Sequence, residues 1–510
     1  MTDAVMKKGS GFLAAVERIG NKMPHPIALF LGIILIVLCL SLLLSLAGVS
    51  AVHPQTQETL YVKNLLNVQE LIEWGSNLSK NLQNFPVLAS VLILAAATGL
   101  CEQTGFFASA IKSSLKNATG SGVVFVIALV GACGNIAGDV AFLIVPTIAA
   151  SVFLGTGRHP LVGLFLGYAA VGGGYGTNFI PGGWDVILTP ITIQSAKLLD
   201  PAFDMNLVSG YYMMAVGTVL IALTATFVTV KFIEPKFGKY EGSYAATEEN
   251  EGALTEVQQR ALRKALLGVG LFLVAIIITA IPSNSFLRSD TGSLTINAPL
   301  MKLLYAFLVI AFLLAGIIYG AATGKIRNIK ELADMLTKSI SNVAPFVVIA
   351  IIVSQFLYLF AQSNLGTVIA INGGHLLSEL SVPVVVVLIM FFIFEGIADM
   401  FIVSGSARYL IFGPVFVPML MHLGVHPAFT QMIHRTGGSM ANHLTPLNSF
   451  FPVLIGLAQK YDKNIGIGTI FSTMIPYTIA YSIVYIAMII VWYVFALPLG
   501  FDTPSHIVLQ

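Results

Sequence analysis

A few ionisable residues stand inside long apolar stretches of this 510-residue chain. Charge at membrane depth is costly, and such residues default to functional candidates. Asp139 ends the run Gly134-Asn135-Ile136-Ala137-Gly138-Asp139; there a carboxylate binds a cation or carries a proton, or else caps the next half-helix. Asp185 follows Gly182-Gly183-Trp184 and reads either as a site carboxylate or as a helix cap at an interface. Arg435 ends Gln431-Met432-Ile433-His434-Arg435. Its planar fork suits bidentate binding of a carboxylate, and the alternative is an arginine snorkelling to an interface. Glu395 and Asp399 are four residues apart and so share one helix face. Asp399 can hold Na+ with nearby carbonyls or exchange a proton; alternatively it pairs with Arg408 to lower its burial cost. His434 and His443 titrate in the right range for proton carriers, although a lone histidine beside a broken helix is more often a structural hydrogen-bonder.

Other chemistries lack their residues. There is no GxxxxGK[ST] phosphate loop, no zinc spacing, no haem motif and no nucleophile triad. Cys39, Cys101 and Cys133 form no CxxC and read as small core hydrophobes. Trp184, Met419–Met421 and the phenylalanine-rich segments read as packing. No cofactor is expected.

The elements that position these residues are membrane helices. Hydrophobic residues make up 56% of the chain and charged residues only 10%, against about 25% charged in a soluble domain. Mean hydropathy is +0.87. A lipid bilayer is therefore the solvent. Net charge is +2 and scattered, which excludes a nucleic-acid partner. The spans predicted are Ile27–Val49, Pro86–Leu100, Tyr211–Phe232, Ala265–Ile281, Leu303–Ala322, Ala344–Phe360, Val382–Ile402 and Ile470–Leu497. Between them Gly122–Pro190 and Gly405–Leu457 are apolar but broken by Gly, Pro, Asn and Asp, and read as spans mixed with re-entrant hairpins. Lys63–Leu82 reads as an amphipathic helix lying on the outer surface, or else as a periplasmic cap.

The chain divides into a tail at 1–26, a first membrane half at 27–232 with its broken region at 122–190, a linker at 233–264, and a second half at 265–510 broken over 363–457. The Lys and Arg bias puts the tail, the connection Lys231–Lys264 and the Lys325–Lys338 loop in the cytoplasm: they carry four, six and four basic residues, whereas the Pro282–Pro299 loop carries only Arg288.

An internal repeat supports two halves. Phe142-Leu143-Ile144 precedes His159-Pro160 by the spacing that separates Tyr409-Leu410-Ile411 from His426-Pro427. Gly-rich sequence follows each His-Pro, and then Asn178 and Pro181, or Asn442 and Pro446. Paired, interrupted apolar segments are the sequence pointer to a transporter's central site, where half-helix ends and free carbonyls meet substrate and ions. Asn178 and Asn442 join Asp399 and Asp139 as candidates for cation or proton coupling.

Several segments resemble the p-aminobenzoyl-glutamate (AbgT) transporter family: Val16-Glu17-Arg18-Ile19-Gly20-Asn21-Lys22-Met23-Pro24-His25-Pro26, Ile233-Glu234-Pro235-Lys236-Phe237-Gly238, Leu254-Thr255-Glu256, Ser404-Gly405-Ser406 and Gly424-Val425-His426-Pro427-Ala428-Phe429. They run in order from one end of the chain to the other, and the first is the most specific. The resemblance implies an all-α polytopic protein of about nine spanning helices plus two re-entrant hairpins, an inverted-repeat secondary transporter that forms a homodimer in the bacterial inner membrane. It implies ion-driven transport, by Na+ or H+, of p-aminobenzoyl-glutamate or a related aromatic carboxylate. The alternative it offers is efflux of sulfonamide-type antimetabolites.

Carried over residue by residue, the family's substrate site falls on Asp185, Tyr409, Pro427 and Arg435. Tyr409 stands where relatives commonly carry Trp; it stacks on the substrate ring with less surface, or is simply core. Relatives also carry an uncharged residue at the position of Asp399 and an Asp where this chain has Gly438, so the acid has moved across the site. From other classes, a passive channel and an intramembrane enzyme remain as readings. The broken paired helices fit alternating access better than a channel, and the missing catalytic constellation argues against an enzyme.

Overall fold

A computed structural model describes residues 26–54, 56–116, 122–240 and 254–508, with the side chains of Pro26, Pro86, Asp139 and Ser378 outside that description. The amino tail and Glu248–Glu251 of the linker lie outside the described residues. Among the described residues, seven helices are long and apolar enough to cross a membrane, and each falls on a span predicted from sequence. The eighth prediction, Val382–Ile402, holds a shorter helix, Val384–Asp399, which ends before Ser404. The Lys63–Leu82 stretch forms two short helices, Val68–Ser76 and Leu78–Gln83. The all-α expectation misses one small feature: Ser50–Val52 pairs antiparallel with Thr59–Tyr61, Ser50 opposite Tyr61.

Ten helices carry the argument. We label them α1 (Ala141–Gly155), α2 (Pro160–Gly173), α3 (Gly183–Ala196), α4 (Tyr211–Val228), α5 (Glu256–Ala280), α6 (Val384–Asp399), α7 (Gly405–His422), α8 (Pro427–Ala441), α9 (Phe451–Gln459) and α10 (Ile467–Val494). The two broken stretches resolve into the same sequence of parts: helix, His-Pro, buried helix, break, helix. The His-Pro repeat has one local cause. His159 and His426 are the N-cap residues of α2 and α8, and each Nδ1 accepts a backbone amide, from Leu161 at 3.3 Å and from Ala428 at 3.1 Å. The following proline sits at N1, where no amide is missed. Each histidine thus supplies an acceptor that Asp or Ser supplies elsewhere.

The breaks also have local causes. Ahead of α1, Gly138 adopts φ 64°, a conformation that favours glycine. The Ser404-Gly405-Ser406 motif starts α7, where Ser404 Oγ accepts the amide of Ala407. At 15 and 14 residues, α1 and α2 are each shorter than the ~20 residues that cross a bilayer.

Small residues let α1 and α2 touch backbone to backbone. A Cβ on Gly163 would lie 2.4 Å from the Ala149 carbonyl oxygen, and one on Gly167 would lie 2.7 Å from Pro146 Cα. Backbone cannot swing aside as a side chain can, so Gly167→Ala is expected to destabilise the protein by about 1–3 kcal/mol. Thermal unfolding in detergent reads this as a lower midpoint; an unchanged midpoint would show that the two helices can part freely.

The last helix ties the halves together. On α10, Tyr481 and Tyr485 donate to the α2 carbonyls of Ala169 (3.3 Å) and Gly173 (2.7 Å), each across 312 residues. One turn earlier Tyr477 shares a hydrogen bond with Thr229 at 2.7 Å. All three tyrosines are buried. By contrast α5 is mostly exposed, with Leu267, Leu271 and Ile278 on its surface, a face suited to lipid.

Candidate functional site

α8 lies in the centre of the molecule and is buried from Pro427 to Ser439. It packs against α6, α7, α3 and α10. Two charged groups meet around its middle, one on each side.

The first joins Arg435 to Asp185. Asp185 occupies the third position of α3, where Oδ2 accepts the amide of Gly182 at 2.8 Å. Its other oxygen accepts Arg435 Nη1 at 2.5 Å. Asp185 is therefore a helix cap, one of the two readings that sequence left open, and it also pairs with Arg435. Both residues are buried, at 5% and 2% exposure. The fork of Arg435 is only half used. Nη2 has distant contacts, 3.5 Å to the Tyr175 carbonyl and 3.6 Å to Met214 Sδ, and Nε has no partner among the described residues. Nε and Nη2 form one edge of the guanidinium, so a carboxylate can dock bidentately there while Asp185 stays in place.

The second group is wholly buried. Arg408, in the first turn of α7, donates from Nε to Glu395 Oε2 at 2.8 Å, and from Nη1 to Asp399 and to the Ile402 carbonyl (2.9 Å). His434 Nδ1 stands 2.9 Å from the same Glu395 oxygen. Glu395, Arg408 and His434 are 0% exposed and Asp399 1%. Glu395 Oε1, Asp399 Oδ2, Arg408 Nη2 and both ring nitrogens of His434 make no hydrogen bond among the described residues. The pairing of Asp399 with Arg408, one of its two sequence readings, is present, but Arg408 also holds Glu395. Gly438 faces this group: a Cβ there would lie 2.6 Å from Arg408 Nη2 and 3.1 Å from the Tyr175 ring. An acid at 438 and Asp399 would thus address the same guanidinium from two sides.

Aromatic rings connect the two groups. Tyr409 lies against the His434 ring, centroids 4.4 Å apart, and its hydroxyl bonds Thr192 at 2.8 Å. Thr192 in turn donates to Gln431 at 2.7 Å. Tyr175 stands edge-on to Trp184, 4.5 Å between centroids. Tyr409 is fully buried.

The remaining candidates lie elsewhere. Pro427 is at the start of α8, eight residues from Arg435 and so about 12 Å along the helix. Asn178 and Asn442 sit at the breaks: Asn178 Oδ1 accepts the Phe179 amide and Asn442 Oδ1 accepts Asn448 Nδ2, both at 2.9 Å. Asp139 lies on the Gly134–Val140 segment, its side chain outside the description. His443 Nε2 meets Thr478 at 3.0 Å, a structural bond. Sequence reasoning passed over Tyr175, Thr192 and Gln431. Gln431 carried a usable signal, lying one turn before Arg435 on the same helix face.

Residues 11–507 match the model of the AbgT putative transporter family. The p-aminobenzoyl-glutamate transport protein of Escherichia coli (strain K12) is 32% identical over 485 residues, 95% of each chain. Two solved structures share the fold. The YdaH transporter of Alcanivorax borkumensis, described as having an unusual topology, superposes with a TM-score of 0.88 at 29% identity, over 94% of this chain and all of that one. Neisseria gonorrhoeae MtrF, described with a class of antimetabolite efflux pumps, gives 0.89 at 30% identity, over 94% of this chain and 97% of its own.

Proposed function

This chain belongs to the AbgT family, and from that premise we propose that it is a secondary transporter of p-aminobenzoyl-glutamate or a related aromatic carboxylate, driven by an ion gradient. The half-used fork of Arg435 carries this reading. It is a cation held in place by Asp185, buried at the junction of two broken stretches, with one bidentate edge left for an anion. Aromatic rings of Tyr175, Trp184 and Tyr409 lie close by and supply flat apolar surface for an aminobenzoyl ring. The burial of the whole site describes a closed state; opening to one side and then the other is alternating access. The protein works in the inner membrane as a homodimer, with its amino end in the cytoplasm as the Lys and Arg bias directs.

Labelled p-aminobenzoyl-glutamate in proteoliposomes tests this. The expected result is accumulation above equilibrium under an imposed pH or Na+ gradient, with intact substrate recovered afterwards. Equilibration without accumulation would make the protein a channel, and altered substrate would make it an enzyme. The likeness to MtrF supports a second reading, efflux of sulfonamide-type antimetabolites. That reading is preferred if such a drug is moved by the gradient and p-aminobenzoyl-glutamate is not.

A further inference from the structure

A cavity of about 420 Å³ lies far from the charged groups described above, at the start of α5, the end that the Lys and Arg bias assigns to the cytoplasm. The ends of helices Pro86–Thr104, Phe106–Lys116 and Pro299–Ala322 complete its walls. Its size is that of a ligand pocket. Two lysines line it, Lys112 and Lys325, and no carboxylate does. Lys112 stands one turn beyond Ser109 on the same helix face, and its ammonium makes no hydrogen bond or ion pair among the described residues. Lys325 gives one donor to the Gln103 carbonyl at 3.3 Å and keeps two.

Two buried hydroxyls point to the same chemistry. Ser109 and Tyr319 also line the cavity, at 3% and 1% exposure. Their oxygens share a single hydrogen bond at 2.6 Å. Each hydroxyl brings its own proton, so whichever one donates, the other O–H has no acceptor among the described residues. A donor buried without an acceptor is costly, and this one belongs to the cavity wall. Gln258, on the opposite wall, spends its oxygen on the Thr255 amide at 3.0 Å and leaves its NH2 as a donor. The lining thus presents ammonium groups and further donors with no acid to balance them, which suits an anion rich in oxygen, such as a phosphate.

The surroundings select a lipid as the source of that phosphate. α5 is the least buried of the seven long helices. Arg263 and Lys264 are exposed on it, and the exposed surface then turns apolar at Leu266, Leu267 and Leu271, the change from headgroup to acyl depth. On Pro299–Ala322, Tyr319 stands one turn before the helix ends and Lys325 just past the end, the level at which tyrosine and lysine meet headgroups. Basic pockets between membrane helices on the cytoplasmic side take lipid headgroups. We propose that this cavity binds the phosphodiester headgroup of an anionic phospholipid of the cytoplasmic leaflet, such as phosphatidylglycerol, with the acyl chains laid along α5. A zwitterionic headgroup carries its own ammonium, which the two lysines repel. The bound lipid bridges Phe106–Lys116 of the first half to α5 and Pro299–Ala322 of the second.

The test is native mass spectrometry and thermal unfolding of the purified, delipidated protein in detergent. Phosphatidylglycerol, phosphatidylethanolamine or inorganic phosphate is added at equal concentration. Phosphatidylglycerol should bind and raise the thermal midpoint, and the other two should do neither. Lys112→Gln should weaken phosphatidylglycerol binding about fivefold, the worth of one lysine at a lipid headgroup. Lys112→Gln with Lys325→Gln should weaken it about twenty-fivefold, one such factor for each lysine. Lys112 has no partner to lose, so the single variant should keep the wild-type midpoint without lipid. Lys264→Gln, exposed on α5 outside the cavity, should bind as the wild type does. Equal binding of phosphatidylethanolamine would overturn the anionic headgroup, and inorganic phosphate as tight as phosphatidylglycerol would overturn the lipid. Wild-type binding by Lys112→Gln, or an equal loss in Lys264→Gln, would overturn the site. No transport substrate enters these measurements, so their outcome is independent of the transport reading.

Discussion

Replacing Arg408 with methionine is expected to destabilise the protein by about 3–5 kcal/mol, the range for breaking a buried ion pair from one side. The side chain is 0% exposed and holds two carboxylates and a carbonyl. Its removal leaves Glu395 and Asp399 facing each other without a cation. Size-exclusion profile and thermal midpoint in detergent should both deteriorate. Asp399→Asn should be far milder. A structural pair of Asp399 with Arg408 alone would leave an unpaired arginine in that variant, but Glu395 also holds Arg408 and the cluster becomes neutral. Asp399→Asn should thus fold and bind while losing accumulation, because Asn keeps the size and the oxygen but removes the charge and the titration. An Arg408→Met protein as stable as the wild type would show that the acids are already protonated in the fold.

The second large effect is on substrate. Arg435→Lys should weaken p-aminobenzoyl-glutamate binding by roughly tenfold to a hundredfold, the equivalent of about 1.5–3 kcal/mol for one charge-assisted contact. Lysine keeps a positive charge opposite Asp185 but replaces a planar fork by a point, so folding is preserved while the open Nε and Nη2 edge is lost. Equilibrium binding reads the affinity and the thermal midpoint serves as the control. Wild-type affinity in a stable variant would remove Arg435 from the substrate site.

Much of this was legible in the chain, and for identifiable reasons. Spans such as Tyr211–Phe232 announce themselves because lipid demands uninterrupted apolar length. The His-Pro repeat was visible because a cap and an N1 proline are local chemistry, written in adjacent residues. Glu395, Asp399 and Arg408 could be grouped because helical spacing brings the two acids together. The resemblance put Asp185 and Arg435 in one site, but their direct contact was not legible, since 250 residues separate them and only the tertiary fold joins α3 to α8. For the same reason Tyr409 revealed its residue type but not its partners. Its ring and hydroxyl are fixed by His434 and Thr192, which arrive from two other helices. The end of α6 was misplaced because apolar residues continue to Ile402 while the backbone turns at Met400; hydropathy records solvent preference, not where a helix stops.

The tyrosines of α10 set a clock on the making of this protein. Ala169 and Gly173 are built early, but the phenols that bond them belong to residues 312 positions later. At about 5–20 residues per second of synthesis, they emerge roughly 15–60 s afterwards. For that interval α2 is in the membrane without the helix that covers one of its faces. A newborn first half is therefore unfinished however well it inserts, and any truncation before Ile467 yields a chain that cannot close. Quality control that senses the open seam along α2 has that interval in which to act, and the final helix ends the window.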